Sequence, residues 1–149
     1  LNCSDKLKPF YLSCGLDIVG VENEEQGILI RDVIEQSLDS LMPKRRNPVF
    51  IDCHIALDED MGDAEAMIHQ EAEDTFFLAI SQSALDQATD DLATLLIHEM
   101  VHVRQYIRKQ ISDKPYNNYE EYLKLPYEQE AYRLQEEMLD EIKAKVFND

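Results

Sequence analysis

The segment from Thr89 to about Gln110 carries the clearest helical pattern in the chain, and it constrains the fold most strongly. Its apolar residues recur every three or four positions, as on the buried face of an α-helix. We expect Thr89 to be the N-cap, followed by two aspartates where the helix dipole favours negative charge. The apolar stripe consists of Leu92, Leu96, Met100, Val103 and Ile107, extended by Ile97 and Val101. A helix apolar on most sides is buried, so this segment should lie at the centre of the fold.

Within this helix, residues 98–102 read HEMVH and place His98 and His102 four positions apart. At about 100° per residue the two imidazoles lie about 40° apart on one face, close enough to bind a single ion. Zinc accepts imidazole nitrogens, and a catalytic zinc site typically has three protein ligands and a water. Glu99 projects from the flank of this face, where it could accept a proton from that water without coordinating the metal.

The histidines lie away from the centre of the apolar stripe, beside Leu95 and Tyr106. Histidines that merely fill a core would more naturally be isolated on the stripe itself. The phase of the helix therefore favours a metal site that opens onto a surface other than the main core.

The third ligand has to come from another part of the chain. In the extended HExxHxxGxxH pattern of the metzincins, the glycine position falls on Gln105 and the third histidine position on Arg108, so that pattern is excluded. His54, in a predicted strand, and His69, in an acidic segment, are more naturally structural or surface residues than ligands. We expect Arg104 and Gln105 to serve packing or ion pairing with nearby acids.

The best source of a third ligand is the acidic segment 125–134, in which Glu128 and Glu130 begin a predicted helix. Either could instead be a solvated carboxylate at the start of the helix, where the dipole favours it. The inward face of this helix is marked by Tyr127, Ala131, Leu134 and Met138. The two glutamates border that face on opposite sides, so helix phase favours Glu128 only slightly.

An HExxH motif followed one helix later by a glutamate in an E-x-x-A context resembles the gluzincin metallopeptidases, and the short chain resembles their compact minigluzincin members. The resemblance covers about residues 89–147. It implies a zinc ion held by His98, His102 and Glu128, the last being the first glutamate of the EQEAY sequence at 128–132. Tyr132 departs from the family pattern, because many members carry there an aspartate that supports a histidine.

The resemblance implies hydrolysis of peptide bonds, with Glu99 as the general base and a peptide or protein as substrate. It also implies that the substrate lies antiparallel along an edge strand, and Thr75–Ser81 is the segment expected in that role. A tyrosine could stabilise the tetrahedral intermediate, although packing is the default interpretation for each candidate: Tyr106, Tyr116, Tyr119, Tyr122 and Tyr127. Two alternatives remain, a non-catalytic zinc-binding module that serves as a protein-interaction domain and a metal-free helical protein that binds a basic partner.

The rest of the chain predicts one α+β domain over residues 1–149, a small sheet packed with the HExxH helix and a C-terminal helix that bears Glu128. We expect residues 1–20 to be irregular, a helix over 24–41 ended by Pro43, and strands at 48–57 and 75–81. Residues 58–74 could form a hairpin arm or a short helix. Residues 112–117 should form a loop, followed by a short helix near 119–125 and a helix from Pro126 to about Val146.

Composition excludes several classes of function. Fourteen basic against 31 acidic side chains give a formal charge of −17, which argues against binding nucleic acid or an anionic membrane. No apolar run is long enough for a membrane helix, and no secretory pattern is visible, so a cytoplasmic location is the default expectation. The sequence begins at Leu1, which leaves a preceding segment open. Three cysteines predict free thiols, although Cys3 and Cys14 could pair.

Overall fold

A computed structural model describes residues 14–111 and 119–147, except for the side chains of Cys14 and Tyr119. The fold in this part of the chain is α+β, as predicted. The predicted loop at 112–117 and any pairing of Cys3 lie outside the described residues. The elements in chain order are β1 Cys14–Val19, α1 Glu24–Leu41, β2 Val49–Ala56, α2 Asp58–Met61, β3 Ala66–Ala72, β4 Thr75–Ser81, α3 Gln82–Leu85, α4 Thr89–Ile107, α5 Tyr119–Leu123 and α6 Pro126–Phe147.

The four strands form one mixed sheet in the order β1-β2-β4-β3. β1 and β4 both run parallel to β2, whereas β3 pairs antiparallel with β4. Alternate residues of β2 and β4 are fully buried, among them Ile51, Cys53, Phe76 and Leu78. These side chains join those of α1 and α4 in a single apolar core.

Two expectations about the strands are wrong. The chain is not irregular up to residue 20, because Cys14–Val19 forms β1 and buries Leu16. Thr75–Ser81 is a strand, but it lies between β2 and β3, so the edge strands of the sheet are β1 and β3. The reason is that β4 pairs on both sides, parallel to β2 and antiparallel to β3. Residues 58–74 contain both predicted alternatives, the short helix α2 and a hairpin arm, β3.

The central helix α4 differs from the prediction at both ends. Its N-cap is Ala88, which provides no side-chain hydrogen bond, and Thr89 is the first helical residue. The helix ends at Ile107 rather than near Gln110, because Lys109 adopts a left-handed conformation with φ 58°. The Gln110 amide then donates to the Gln105 carbonyl at 2.8 Å, and the Lys109 amide donates to the Tyr106 carbonyl at 3.0 Å. This pair of hydrogen bonds is a Schellman motif.

α4 packs against α1, α6 and β3. Its apolar stripe is buried as predicted, with Leu92, Leu96, Met100 and Val103 in the core. The first two turns of α6 lie beside the C-terminal half of α4, and the Gln105 side chain of α4 hydrogen bonds to the Tyr127 carbonyl of α6. Across the described residues, every helix is too short or too polar to span a bilayer.

Candidate metal centre

The imidazoles of His98 and His102 face the same point, as their spacing on α4 predicts. Their Nε2 atoms are 3.1 Å apart, and both side chains are buried. The face that they share with Leu95 and Tyr106 does not point into the apolar core but lines a cleft. The position of the pair relative to the apolar stripe is therefore the predicted one.

Glu128, in the first turn of α6, completes the group. Its side chain is 1% exposed, and its Oε1 atom lies 2.5 Å from His102 Nε2 and 3.5 Å from His98 Nε2. One donor atom from each of the three side chains lies within 4.8 Å of the other two. Within the described residues, this is the group of histidine, cysteine and acidic side chains that could hold a metal ion.

The charges within the group are strongly coupled. Burial alone would raise the pKa of Glu128, but hydrogen bonds from His102, His98 and Tyr122 outweigh it and lower that pKa to about 2. Burial disfavours the charged form of His102, yet the hydrogen bond to Glu128 and the charges of Glu99 and Glu128 leave its pKa raised. Glu128 is therefore an anion at neutral pH, and it attracts a positive charge into the site.

Glu99 lies beside the group without belonging to it. The side chain is buried and lines the same cleft as the two histidines. Burial is the main reason that its pKa is raised, opposed by the nearby charges of His102 and His98. A raised pKa makes this carboxylate a better proton acceptor than an exposed glutamate.

Each histidine makes a second hydrogen bond through its other ring nitrogen. His102 Nδ1 lies 2.7 Å from the amide oxygen of Gln105, and His98 Nδ1 lies 2.7 Å from that of Gln135. The sequence predicts that Gln105 serves packing or ion pairing with nearby acids, which is correct but leaves out its contact with His102. The prediction missed Gln135, whose only signal is its position seven residues, or two turns, after Glu128 on the same helix.

The second glutamate of the acidic segment has a different role. Glu130 Oε1 accepts a hydrogen bond from Gln105 at 2.9 Å and lies 3.7 Å from the guanidinium of Arg104. The expected pairing of Arg104 and Gln105 with acids is thus present. Tyr132, at the aspartate position of the family pattern, packs its ring edge-on against the His98 ring with centroids 4.7 Å apart.

The remaining histidines lie elsewhere. His54 is on β2, where its Nε2 atom is 2.9 Å from Asp52 Oδ1 and its ring stacks on Phe77. His69 is exposed on β3. Neither belongs to the group that could hold a metal, which agrees with their interpretation as structural or surface residues.

The cleft in front of the three donors has a volume of about 1150 Å³ and runs between α4, α6 and the edge strand β3. Residues 63–68 form its wall on the sheet side, and the aromatic residues on its lining are Tyr106, Tyr122, Tyr127 and Tyr132. Two other candidate tyrosines cannot be placed in it, because Tyr116 and the side chain of Tyr119 lie outside the described part of the chain. The buried donors thus lie on the wall of an open cleft.

Comparisons of the chain with protein-family models, with curated proteins and with solved structures find no match. Inferences about function therefore depend on the chemistry and the positions of the site residues.

Proposed function

We propose that this protein is a zinc-dependent metallopeptidase of the gluzincin type, with His98, His102 and Glu128 as the zinc ligands and Glu99 as the general base. The observation that carries the proposal is the convergence of two imidazole Nε2 atoms and one buried carboxylate on a point inside an open cleft. A retained glutamate beside the histidines favours an enzyme over a structural site, because a structural site needs no base.

The donor set fits zinc. Ligand atoms at about 2.0–2.1 Å from a tetrahedral ion are about 3.3 Å apart, and two of the separations here, 3.1 and 3.5 Å, lie close to that value. The third, 2.5 Å between His102 and Glu128, is shorter. Three protein ligands leave a coordination position for water or substrate, which is typical of catalytic rather than structural zinc sites. Zinc held by these three side chains would supply Lewis acidity and a nucleophile derived from water at neutral pH.

The protein's own groups supply the remaining chemistry. Glu99 takes the proton of the attacking water at a carboxylate oxygen and later gives it to the leaving amine. Burial favours both steps, since it raises the pKa of Glu99 and makes the protonated state accessible. In this proposal Tyr122, which hydrogen bonds to Glu128, helps to hold that carboxylate in its ionised form.

The cleft suggests how a peptide could bind. β3 is an edge strand that pairs with β4 on one side and borders the cleft. An extended peptide can add to such an edge through backbone hydrogen bonds, with little dependence on its sequence. This assigns the substrate-binding role to Ala66–Ala72 rather than to Thr75–Ser81.

The test combines metal analysis with one substitution. We expect about one zinc per chain in the purified protein, and loss of that zinc in the His98→Ala, His102→Ala double variant. Glu99→Gln should retain zinc but abolish cleavage of a peptide library, because an amide cannot take the proton. Full zinc content in the double variant would refute the site. Zinc without cleavage in the unmodified protein would instead support the non-catalytic binding module.

A further inference from the structure

The side-chain amide of Gln105 can be oriented in only one way. Its nitrogen donates two hydrogen bonds, to the Tyr127 carbonyl and to Glu130 Oε1, each at 2.9 Å. A flipped amide would place its oxygen against these two acceptors, which cannot donate in return. The oxygen of Gln105 must therefore face His102 Nδ1, 2.7 Å away.

This orientation determines the tautomer of His102. An amide oxygen has no proton to give, so the hydrogen of the short contact must sit on His102 Nδ1. In the neutral imidazole the lone pair is then on Nε2, the atom that points at His98 and Glu128. The hydrogen bonds that link Glu130, Gln105 and His102 thus leave the Nε2 lone pair of neutral His102 available to a metal ion.

His98 is held by a second, similar series of hydrogen bonds. The oxygen of Gln135 lies 2.7 Å from His98 Nδ1, and its nitrogen donates to Glu136 Oε1 at 3.3 Å. Both series of hydrogen bonds start from glutamates of α6, the helix that also carries Glu128, and end on the histidines of α4. The packing of these two helices therefore sets the position of the third ligand and the tautomers of the other two.

We propose that Gln105 and Gln135 are the positioning residues of the metal centre, and that Glu130 acts on metal binding through Gln105. This inference rests on the proposed metal site, but it does not require that the protein is a peptidase. Histidine ligands commonly donate their other N–H to a carboxylate, a carbonyl or water, and loss of such a partner costs about 10–100-fold in metal affinity.

An amide suits this site better than a carboxylate. Glu99 and Glu128 are both buried near the histidines, and each raises the cost of burying another anion. Glutamine oxygens accept the two imidazole N–H groups without adding charge. The glutamates that orient the glutamines, Glu130 and Glu136, are more exposed and do not contact the histidines directly.

The first experiment removes and restores the acceptor at position 135, using zinc affinity measured by competition with a chelator. We expect Gln135→Leu to lower the affinity about 10–100-fold, since His98 Nδ1 loses its partner. Gln135→Glu restores an acceptor oxygen and should recover most of the lost affinity. The visible spectrum of the Co²⁺-loaded protein should change in Gln135→Leu and return in Gln135→Glu.

Gln129, exposed on the same helix, offers matched controls. Gln129→Leu and Gln129→Glu make the same chemical changes away from the histidines and should leave zinc affinity and the Co²⁺ spectrum unchanged. The inference is overturned if Gln135→Leu binds zinc as tightly as Gln129→Leu does. It is also overturned if Gln135→Glu is as weak as Gln135→Leu, because packing rather than hydrogen bonding would then be responsible.

The second experiment is a double-mutant cycle on the hydrogen bonds that link Glu130, Gln105 and His102. Glu130→Ala should lower zinc affinity by no more than about tenfold, the lower end of the range for an outer partner, because Tyr127 still holds Gln105. In a Gln105→Leu background the same change should have no further effect. An equal effect in both backgrounds would show that Glu130 does not act through Gln105.

These outcomes separate the inference from the proposed function. If the unmodified protein binds no zinc, the proposed metal centre fails and the inference with it. If the protein binds zinc and the glutamine variants behave like the Gln129 controls, only the inference fails. If the variants respond as expected but no peptide is cleaved, the positioning role holds and the peptidase proposal fails.

Discussion

Glu128 and Glu130 are two residues apart on α6, yet their surroundings differ in kind. Glu128 is almost fully buried against the two imidazoles, whereas Glu130 is partly exposed and contacts Gln105 and Arg104. We expect Glu128→Ala to weaken zinc binding by more than the 10–100-fold typical for an outer partner, because it removes a proposed ligand. Glu130→Ala should have a much smaller effect. Zinc titration against a chelator measures both.

The control for this comparison is Glu137→Ala, which removes an exposed carboxylate from the same helix and should not alter zinc affinity. If Glu130→Ala weakens binding more than Glu128→Ala does, the wrong turn of α6 has been assigned to the metal.

Cys53 illustrates how burial determines the reactivity of a thiol. Its side chain is fully buried on β2, and burial, with a smaller effect of Asp52, raises its pKa to about 12. At pH 8 only about one thiol in ten thousand is then ionised, and the thiolate is the reactive form. We expect Cys53 to resist thiol reagents in the native protein and to react fully after unfolding in guanidinium. A Cys3→Ser, Cys14→Ser variant isolates this thiol, and rapid labelling of the folded form would contradict the assignment.

At the residue scale the sequence predicts the candidate ligands but not the glutamines that hydrogen bond to the two histidines. His98, Glu99 and His102 follow from spacing along one helix, which local geometry determines. Glu128 follows from a motif, since helix phase alone leaves Glu130 as a near rival. Gln135 has no local signature, because its contact with His98 depends on how α4 and α6 cross.

At the scale of elements, the bounds of α1 and β4 are predicted correctly, because α1 has a helical period that Pro43 ends and β4 is a run of residues that favour strands. β1 is missed because it is short and pairs on one side only, with β2. The assignment of the edge strand fails for a different reason. The position of a strand in a sheet depends on pairing between segments. The strand pattern of β4 does not by itself predict that β3 pairs with it.

The C-terminus of α4 gives a prediction of its own. Lys109 occupies the left-handed position of the Schellman motif, where a side chain costs about 1–2 kcal/mol and glycine is the usual residue. Lys109→Gly should raise the free energy of unfolding by about 0.5–1 kcal/mol, after allowing for the greater freedom of glycine in the unfolded chain. Urea denaturation measures the change.

Lys109→Ala is the matched control, since it removes the exposed side chain but keeps the Cβ atom that causes the strain. It should change stability little. If Lys109→Gly and Lys109→Ala are equally stabilising, the effect comes from the lysine side chain and not from the backbone conformation.

For the whole molecule, the fold class could be predicted but the arrangement could not. Helical patterns that flank a few predicted strands indicate α+β, whereas the order β1-β2-β4-β3 and the packing of α6 on α4 emerge only from the folded chain. The candidate metal centre joins α4 to α6, segments that are connected through residues outside the described part. A bound ion therefore links two elements of the core and should stabilise the protein as a whole.

The size of that stabilisation should depend on pH. In the metal-free protein His102 has a raised pKa, so its contribution to stability is fully present below its unfolded value of about 6.5 and is lost as pH rises through the folded pKa. Glu128, with its pKa lowered to about 2, contributes above about 4.5 and loses that contribution as pH falls toward 2. The ion pair thus supports the metal-free form best in mildly acidic solution.

Zinc requires neutral imidazoles, so protons compete with it in that same range. We expect the difference in melting temperature between zinc-loaded and chelator-treated protein to be small near pH 5.5 and to increase toward pH 8. At a free zinc concentration of 100 times Kd the gain is about 2.7 kcal/mol. Calorimetry across this pH range measures it, and the His98→Ala, His102→Ala variant should show no difference at any pH. A difference that is constant with pH, or largest in acid, would mean that His102 is not deprotonated when the ion binds.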